Sequence, residues 1–127
     1  MKRITISKRM MFEAAHFLPE HIGNCKRLHG HSFSIEVFIS ANEDELINGM
    51  IMDYADLKNI MQEYIIEKYD HRYLNDLIAN SHPTSEVLGC IIFEDIKNCL
   101  PGYIALESIT IKETENSACT VREENIC

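Results

Sequence analysis

Between Ser32 and Ser40 the chain alternates, with Phe33, Ile35, Val37 and Ile39 on one side and Ser32, Ser34, Glu36 and Ser40 on the other. A period of two marks a strand with one buried face. Phe38 interrupts the polar side and implies partial cover there. An earlier strand is expected from Arg3 to Arg9. After the polar connection Ala41 to Gly49 the period lengthens: Leu57, Ile60, Met61, Tyr64 and Ile65 recur at three- and four-residue spacing. This predicts a helix that opens at Asp53, a good N-cap, and runs to about Lys68. A second helix is expected from Pro83-Thr84-Ser85-Glu86, with Val87, Leu88, Ile91, Ile92 and Ile96 as its stripe and Pro101-Gly102 as its stop. Strands over Ile104 to Glu113 and Ala118 to Glu123 follow, separated by the turn-like Thr114-Glu115-Asn116-Ser117. Helices gathered between strand pairs imply an α+β fold, an antiparallel sheet with helices on one face. The 127 residues contain no internal repeat and are expected to form one domain, 1–127.

Composition changes this picture little. The hydrophobic fraction of 46% and charged fraction of 25% are those of an ordinary globular chain. Twelve basic against twenty acidic residues give a net charge of -8, which disfavours wrapping a nucleic-acid backbone. A small anionic ligand would need a local cationic pocket against that field. No apolar run is long enough to span a bilayer. The basic start Met1 to Arg9 has no apolar run behind it, so a cytoplasmic location is expected. The five cysteines, Cys25, Cys90, Cys99, Cys119 and Cys127, are scattered and odd in number, which argues against a disulfide scaffold. Cys90, Cys99 and Cys119 read as structural.

The candidate chemistry lies in the histidines. In Leu28-His29-Gly30-His31-Ser32 the two histidines share one strand face, and Gly30 permits close approach. His16 follows the small pair Ala14-Ala15. If the first two strands pair antiparallel, the connection from Phe17 to Leu28 brings His16 opposite the other two. Three neutral imidazoles suit a tetrahedral zinc with one open position, although a histidine taken alone is far more often a surface or hydrogen-bonded core residue than a ligand. Cys25 precedes His29 by four residues, and Lys26, Arg27 or a metal could lower its pKa; an exposed loop cysteine without a task is the alternative. Asp70-His71 suits a carboxylate-oriented general base, or merely a helix end. His21 and His82 read as structural or solvent-facing.

Six segments in order resemble the family of 6-pyruvoyl-tetrahydropterin and 6-carboxy-tetrahydropterin synthases. They are Phe12 to His16, Cys25 to Ser32, Met52 to Lys58, Asp70 to Asn75, Pro83 to Glu86 and Lys112-Glu113-Thr114. The resemblance implies a tunnelling fold, a four-stranded antiparallel sheet with two helices. It implies zinc on His16, His29 and His31, a catalytic thiol at Cys25, and Asp70 and His71 as its acid-base partners. It also implies a pterin anchor at Glu113, whose carboxylate could accept two parallel N–H bonds; by itself Glu113 reads as a solvated strand end. Thr84 and Ser85 are implied substrate contacts, and Lys26 and Arg27 are candidates for the phosphates or for plain solvated charge. The three residues between Cys25 and His29 are similar to the bacterial 6-carboxy type. His82 departs from the family's usual asparagine. The implied reaction converts 7,8-dihydroneopterin triphosphate to 6-carboxy-5,6,7,8-tetrahydropterin, acetaldehyde and triphosphate, a step in queuosine precursor synthesis. The alternatives are 6-pyruvoyl-tetrahydropterin synthase activity, a non-catalytic zinc or pterin-binding module, or a zinc hydrolase. Homo-oligomers built from trimers, and hexamers from those, are implied, with sites at subunit boundaries. Such assembly also covers sheet edges.

Overall fold

β1 (Arg3–His16) and β2 (His29–Asn42) pair antiparallel along their whole length, from Arg3 opposite Asn42 to His16 opposite His29. The architecture comes from a computed structural model that describes residues 1–18, 23, 27–78 and 82–124. Both strands outrun their expected spans. In β1 the adjacent Met10, Met11 and Phe12 hide the alternation, which burial resolves: Phe12, Ala14 and His16 are buried, while Met11 is 58% exposed.

A short 3-10 turn, Glu43–Glu45, follows β2. α1 (Tyr54–Met61) opens where expected, the Asp53 side chain accepting the Ala55 N–H at 2.8 Å. It continues through a π-helical segment, Gln62–Ile66, into α2 (Glu67–Tyr69). β3 (Arg72–Tyr73) and the single turn α3 (Leu74–Leu77) come next. α4 (Ser85–Cys99) is capped by Thr84, whose hydroxyl accepts the Val87 N–H at 3.2 Å. β4 (Ala105–Thr114) and β5 (Ser117–Val121) complete the fold.

The sheet order is β3-β1-β2-β4-β5. The four long strands pair antiparallel in the expected α+β arrangement. The fifth, β3, pairs parallel with β1 at Ala14 and Ala15, and two residues are too few to show a hydrophobic period. Phe33, Ile35, Val37 and Ile39 are wholly buried in one cluster with Leu57, Met61 and Ile65 from the first helical run and Leu88, Ile92 and Ile96 from α4. The helices therefore cover one face. At Gly89 a Cβ would stand 2.8 Å from Val121 Cγ2, so the missing side chain lets α4 lie close on the sheet. The other face is polar, with Ser7 donating to Glu36 at 2.8 Å and Ser32 to Glu13 at 2.7 and 2.8 Å. Among the described residues, no helix is long and apolar enough to cross a membrane.

Ile92→Ala removes a fully buried side chain about two turns along α4 from Ser85. It is expected to cost about 2–5 kcal/mol in urea unfolding, with metal binding by the folded protein unchanged.

Candidate functional site

The β1–β2 register fixes the first half of the site. His16 stands directly opposite His29, and Ala14 opposite His31. His29 and His31 are two apart on one strand, so all three histidines occupy the helix-covered face. Their ring centroids lie 4.6, 4.7 and 5.2 Å apart. Phe12 and Phe33, stacked at 5.0 Å, form an aromatic floor beneath them, Phe33 lying 5.6 Å from the His31 ring.

Hydrogen bonding settles which nitrogens point inward. His16 Nδ1 donates to the Pro83 carbonyl at 2.8 Å and His29 Nδ1 to the Arg27 carbonyl at 2.7 Å. A carbonyl only accepts, so each Nδ1 carries the proton and, in the neutral ring, each Nε2 keeps a lone pair. Burial lowers the His31 pKa from its ordinary value, more than the nearby Glu113 raises it, which favours a neutral ring there too. Among the described residues, the buried side-chain nitrogens and oxygens without a hydrogen-bond partner are the Nε2 atoms of these three histidines. Leaving such groups unsatisfied is costly. Ligand atoms of the three lie within 4.8 Å of one another. The donor set, geometry and oriented Nδ1 partners fit a divalent transition-metal ion with a position to spare.

Glu113 also faces this cluster. It continues the buried side of β4 beyond Ile109 and Ile111, and its carboxylate oxygens lie 3.9 Å from His16 Nε2 and 3.6 Å from His31 Nε2. Ser85, at the start of α4, donates to Glu113 Oε1 at 2.8 Å. Thr84 spends its hydroxyl on the α4 cap.

The second half of the site sits at the β3 edge. Asp70 Oδ1 accepts the Glu13 N–H at 2.8 Å, and the Glu13 carbonyl accepts the His71 N–H at 2.5 Å. Asp70 Oδ2 lies 3.0 Å from His71 Nδ1. The pair is therefore a real contact rather than only sequence neighbours. The Glu13 amide is the main cause holding the Asp70 carboxyl below the usual range; partial desolvation opposes it and His71 adds to it. His71 has φ +57°, a left-handed backbone that non-glycine residues rarely adopt. Its side chain is 79% exposed. A cavity of about 490 Å³ has both His71 and His31 on its wall, with Arg72 beside them.

Asn75 was not singled out from the sequence as a site residue. Its side chain accepts the Phe17 N–H at 2.9 Å and donates to the Phe17 carbonyl at 3.1 Å, pinning the backbone next to His16. Arg27 is exposed. Cys25, Lys26, His21 and Cys127 lie outside the described residues. Cys90, Cys99 and Cys119 carry free thiols.

The fold and the site together define a chain with the architecture of a pterin synthase and three histidines that could hold a metal ion. The 6-pyruvoyl tetrahydropterin synthase structure from Caenorhabditis elegans matches with a TM-score of 0.83 at 28% identity, covering 98% of each chain. Residues 5–124 match the family described as 6-pyruvoyl tetrahydropterin synthase, and the chain belongs to that family. A 6-carboxy-5,6,7,8-tetrahydropterin synthase from Synechocystis sp. is 39% identical over 116 residues, 89% of this chain and 88% of that protein. A dihydroneopterin monophosphate aldolase from Pyrococcus furiosus is 36% identical over 105 residues, 83% of this chain and 85% of its own length.

Saturating Zn²⁺ at about 100 times its Kd should raise stability by about 2.7 kcal/mol. His16→Ala should abolish both that gain and metal retention through gel filtration, measured by elemental analysis. A variant that still holds the ion would place the metal elsewhere.

Proposed function

We propose that the chain is a zinc-dependent carbon-carbon lyase converting 7,8-dihydroneopterin triphosphate and water to 6-carboxy-5,6,7,8-tetrahydropterin, acetaldehyde and triphosphate, in the cytoplasm, for queuosine precursor synthesis. The observation that carries it is a cluster of three orphaned, buried Nε2 atoms, one member of which, His31, lines the same cavity as His71. A binding module has no need of the second feature. The Synechocystis relative is named for this product. Nitrogen-only donors with tetrahedral room favour zinc.

A bound zinc supplies Lewis acidity to the hydroxyls of the pterin side chain. His71, its Nδ1–H directed at Asp70, presents Nε2 to take or return a proton. Asp70 stays ionised and fixes the ring. Cys25 is the other proton carrier, a role that rests on its place in the sequence pattern. Glu113 anchors the amino-pyrimidine edge, Ser85 orienting its carboxylate. Thr84 acts through the helix cap, holding Ser85 in place, with its backbone near the substrate. Lys26, Arg27 and Arg72 are the cations offered to the triphosphate. The working form is a trimer-based homo-oligomer that stacks to a hexamer. The exposure of His71, a fixed and oriented residue, supports a second copy covering it.

Incubating the zinc-loaded protein with 7,8-dihydroneopterin triphosphate should yield the 6-carboxy product by mass and stoichiometric acetaldehyde. A product retaining its carbon chain would replace this reading with 6-pyruvoyl-tetrahydropterin synthase activity. Release of glycolaldehyde triphosphate with a 6-hydroxymethyl pterin would replace it with aldolase chemistry, the activity named for the Pyrococcus relative. Cys25→Ala should abolish turnover with zinc retained, whereas a metal-hydroxide hydrolase would keep working. His71→Ala should lower kcat by about 10²–10⁴.

A further inference from the structure

Building on the metal reading above, we propose that Glu113 is the fourth metal donor in the pterin-free protein, closing the position that the three histidines leave open. The distances carry this. With metal–nitrogen and metal–oxygen bonds of about 2.0–2.2 Å, neighbouring donors of a tetrahedral site stand about 3.4 Å apart. Glu113 Oε2 is 3.6 Å from His31 Nε2, and Oε1 is 3.9 Å from His16 Nε2. These separations are too long for hydrogen bonds and close to the edge of a coordination tetrahedron.

The chemistry of the facing atoms agrees. His16 and His29 direct their Nδ1–H groups at backbone carbonyls, which leaves Nε2 unprotonated in the neutral ring. The His16 Nε2 lone pair therefore meets a Glu113 oxygen 3.9 Å away with no hydrogen between. Lone pairs and a negative charge converging in a partly buried space repel one another, and a cation at their centre reverses the sign of every one of those interactions. One carboxylate also halves the charge that a divalent ion would carry into this apolar surround.

Ser85 makes the carboxylate a pivot. Its hydroxyl holds Oε1 at 2.8 Å, which leaves Oε2 turned toward the triad. Glu113 cannot donate to the metal and accept a pterin edge with the same oxygen. Pterin binding would therefore withdraw Glu113 and open the coordination position for the substrate side chain. Without substrate, the metal has no place for a hydroxide, so stray hydrolysis is suppressed.

Cobalt(II) substitution tests this without turnover. In wild-type protein the visible bands should be those of a carboxylate-closed tetrahedral site. Glu113→Gln should change their position and intensity and weaken metal affinity by about 10- to 100-fold or more, a range that loss of even an outer partner can cause. Pterin with no side chain at C6, which has no hydroxyl to offer the metal, should move the wild-type spectrum the same way. This second arm needs no variant. Wild-type and Glu113→Gln spectra that coincide, with no response to pterin, would overturn the proposal while leaving the three-histidine site standing. Failure of cobalt to bind wild-type protein would overturn both.

Discussion

A single register between two strands governs both the core and the chemistry. Phe12 opposite Phe33, Ala14 opposite His31 and His16 opposite His29 are successive same-face rungs of one ladder. Sliding β1 by one residue would turn Phe12 and His16 to the polar side together, because strand side chains alternate with period two. The apolar rungs thus enforce the position of the polar ones. The buried, partnerless Nε2 atoms can be tolerated because the same ladder drives a large aliphatic core into place beneath them.

The helix side is tied to the same point by a very short segment. The Pro83 carbonyl fixes the His16 tautomer, the Thr84 hydroxyl caps α4, and the Ser85 hydroxyl holds Glu113. Three consecutive residues therefore connect β1, α4 and β4 around the histidines. Proline is well placed here, since it needs no hydrogen bond for the N–H it lacks and leaves its carbonyl to accept. The family resemblance implies Thr84 and Ser85 as substrate contacts. In the structure their hydroxyls are engaged within the protein, so they shape the site by holding Glu113 and the helix end.

What the sequence revealed depended on periodicity. The His29–His31 spacing, the β2 alternation, the Asp53 cap and both helical stripes were legible because each follows a local repeat that burial enforces. The continuation of β1 to His16 was obscured by Met11, an exposed apolar residue inside the pattern. β3 was invisible, since a two-residue strand is defined by pairing partners distant in sequence. The same holds for the grip of Asn75 on Phe17 and of the Glu13 backbone on Asp70 and His71; backbone groups belong to every residue and leave no compositional mark. Glu113 read by itself as a solvated strand end. Its place beside the triad follows from β4 pairing with β2, which no spacing within Lys112-Glu113-Thr114 encodes.

The two halves of the site differ in a way that bears on function. The histidine cluster lies largely inside, with side-chain exposures of 1% at His16 and 19% at His31, whereas His71 stands 79% exposed on a left-handed backbone. Strain of that kind costs on the order of 1–3 kcal/mol and persists where surrounding contacts over-determine it. Here the contacts are the Glu13 carbonyl, which accepts from His71, and the Asp70 side chain, which is itself anchored by the Glu13 amide. An imidazole held this firmly yet left open to solvent is arranged for something outside its own chain's core. A metal donor set gains from burial, which excludes competing water, while a proton carrier must be reached by substrate. Under the proposed roles, histidines beneath the helices and His71 on the sheet edge meet both demands. It also leaves the open edge as the surface on which the proposed assembly would close.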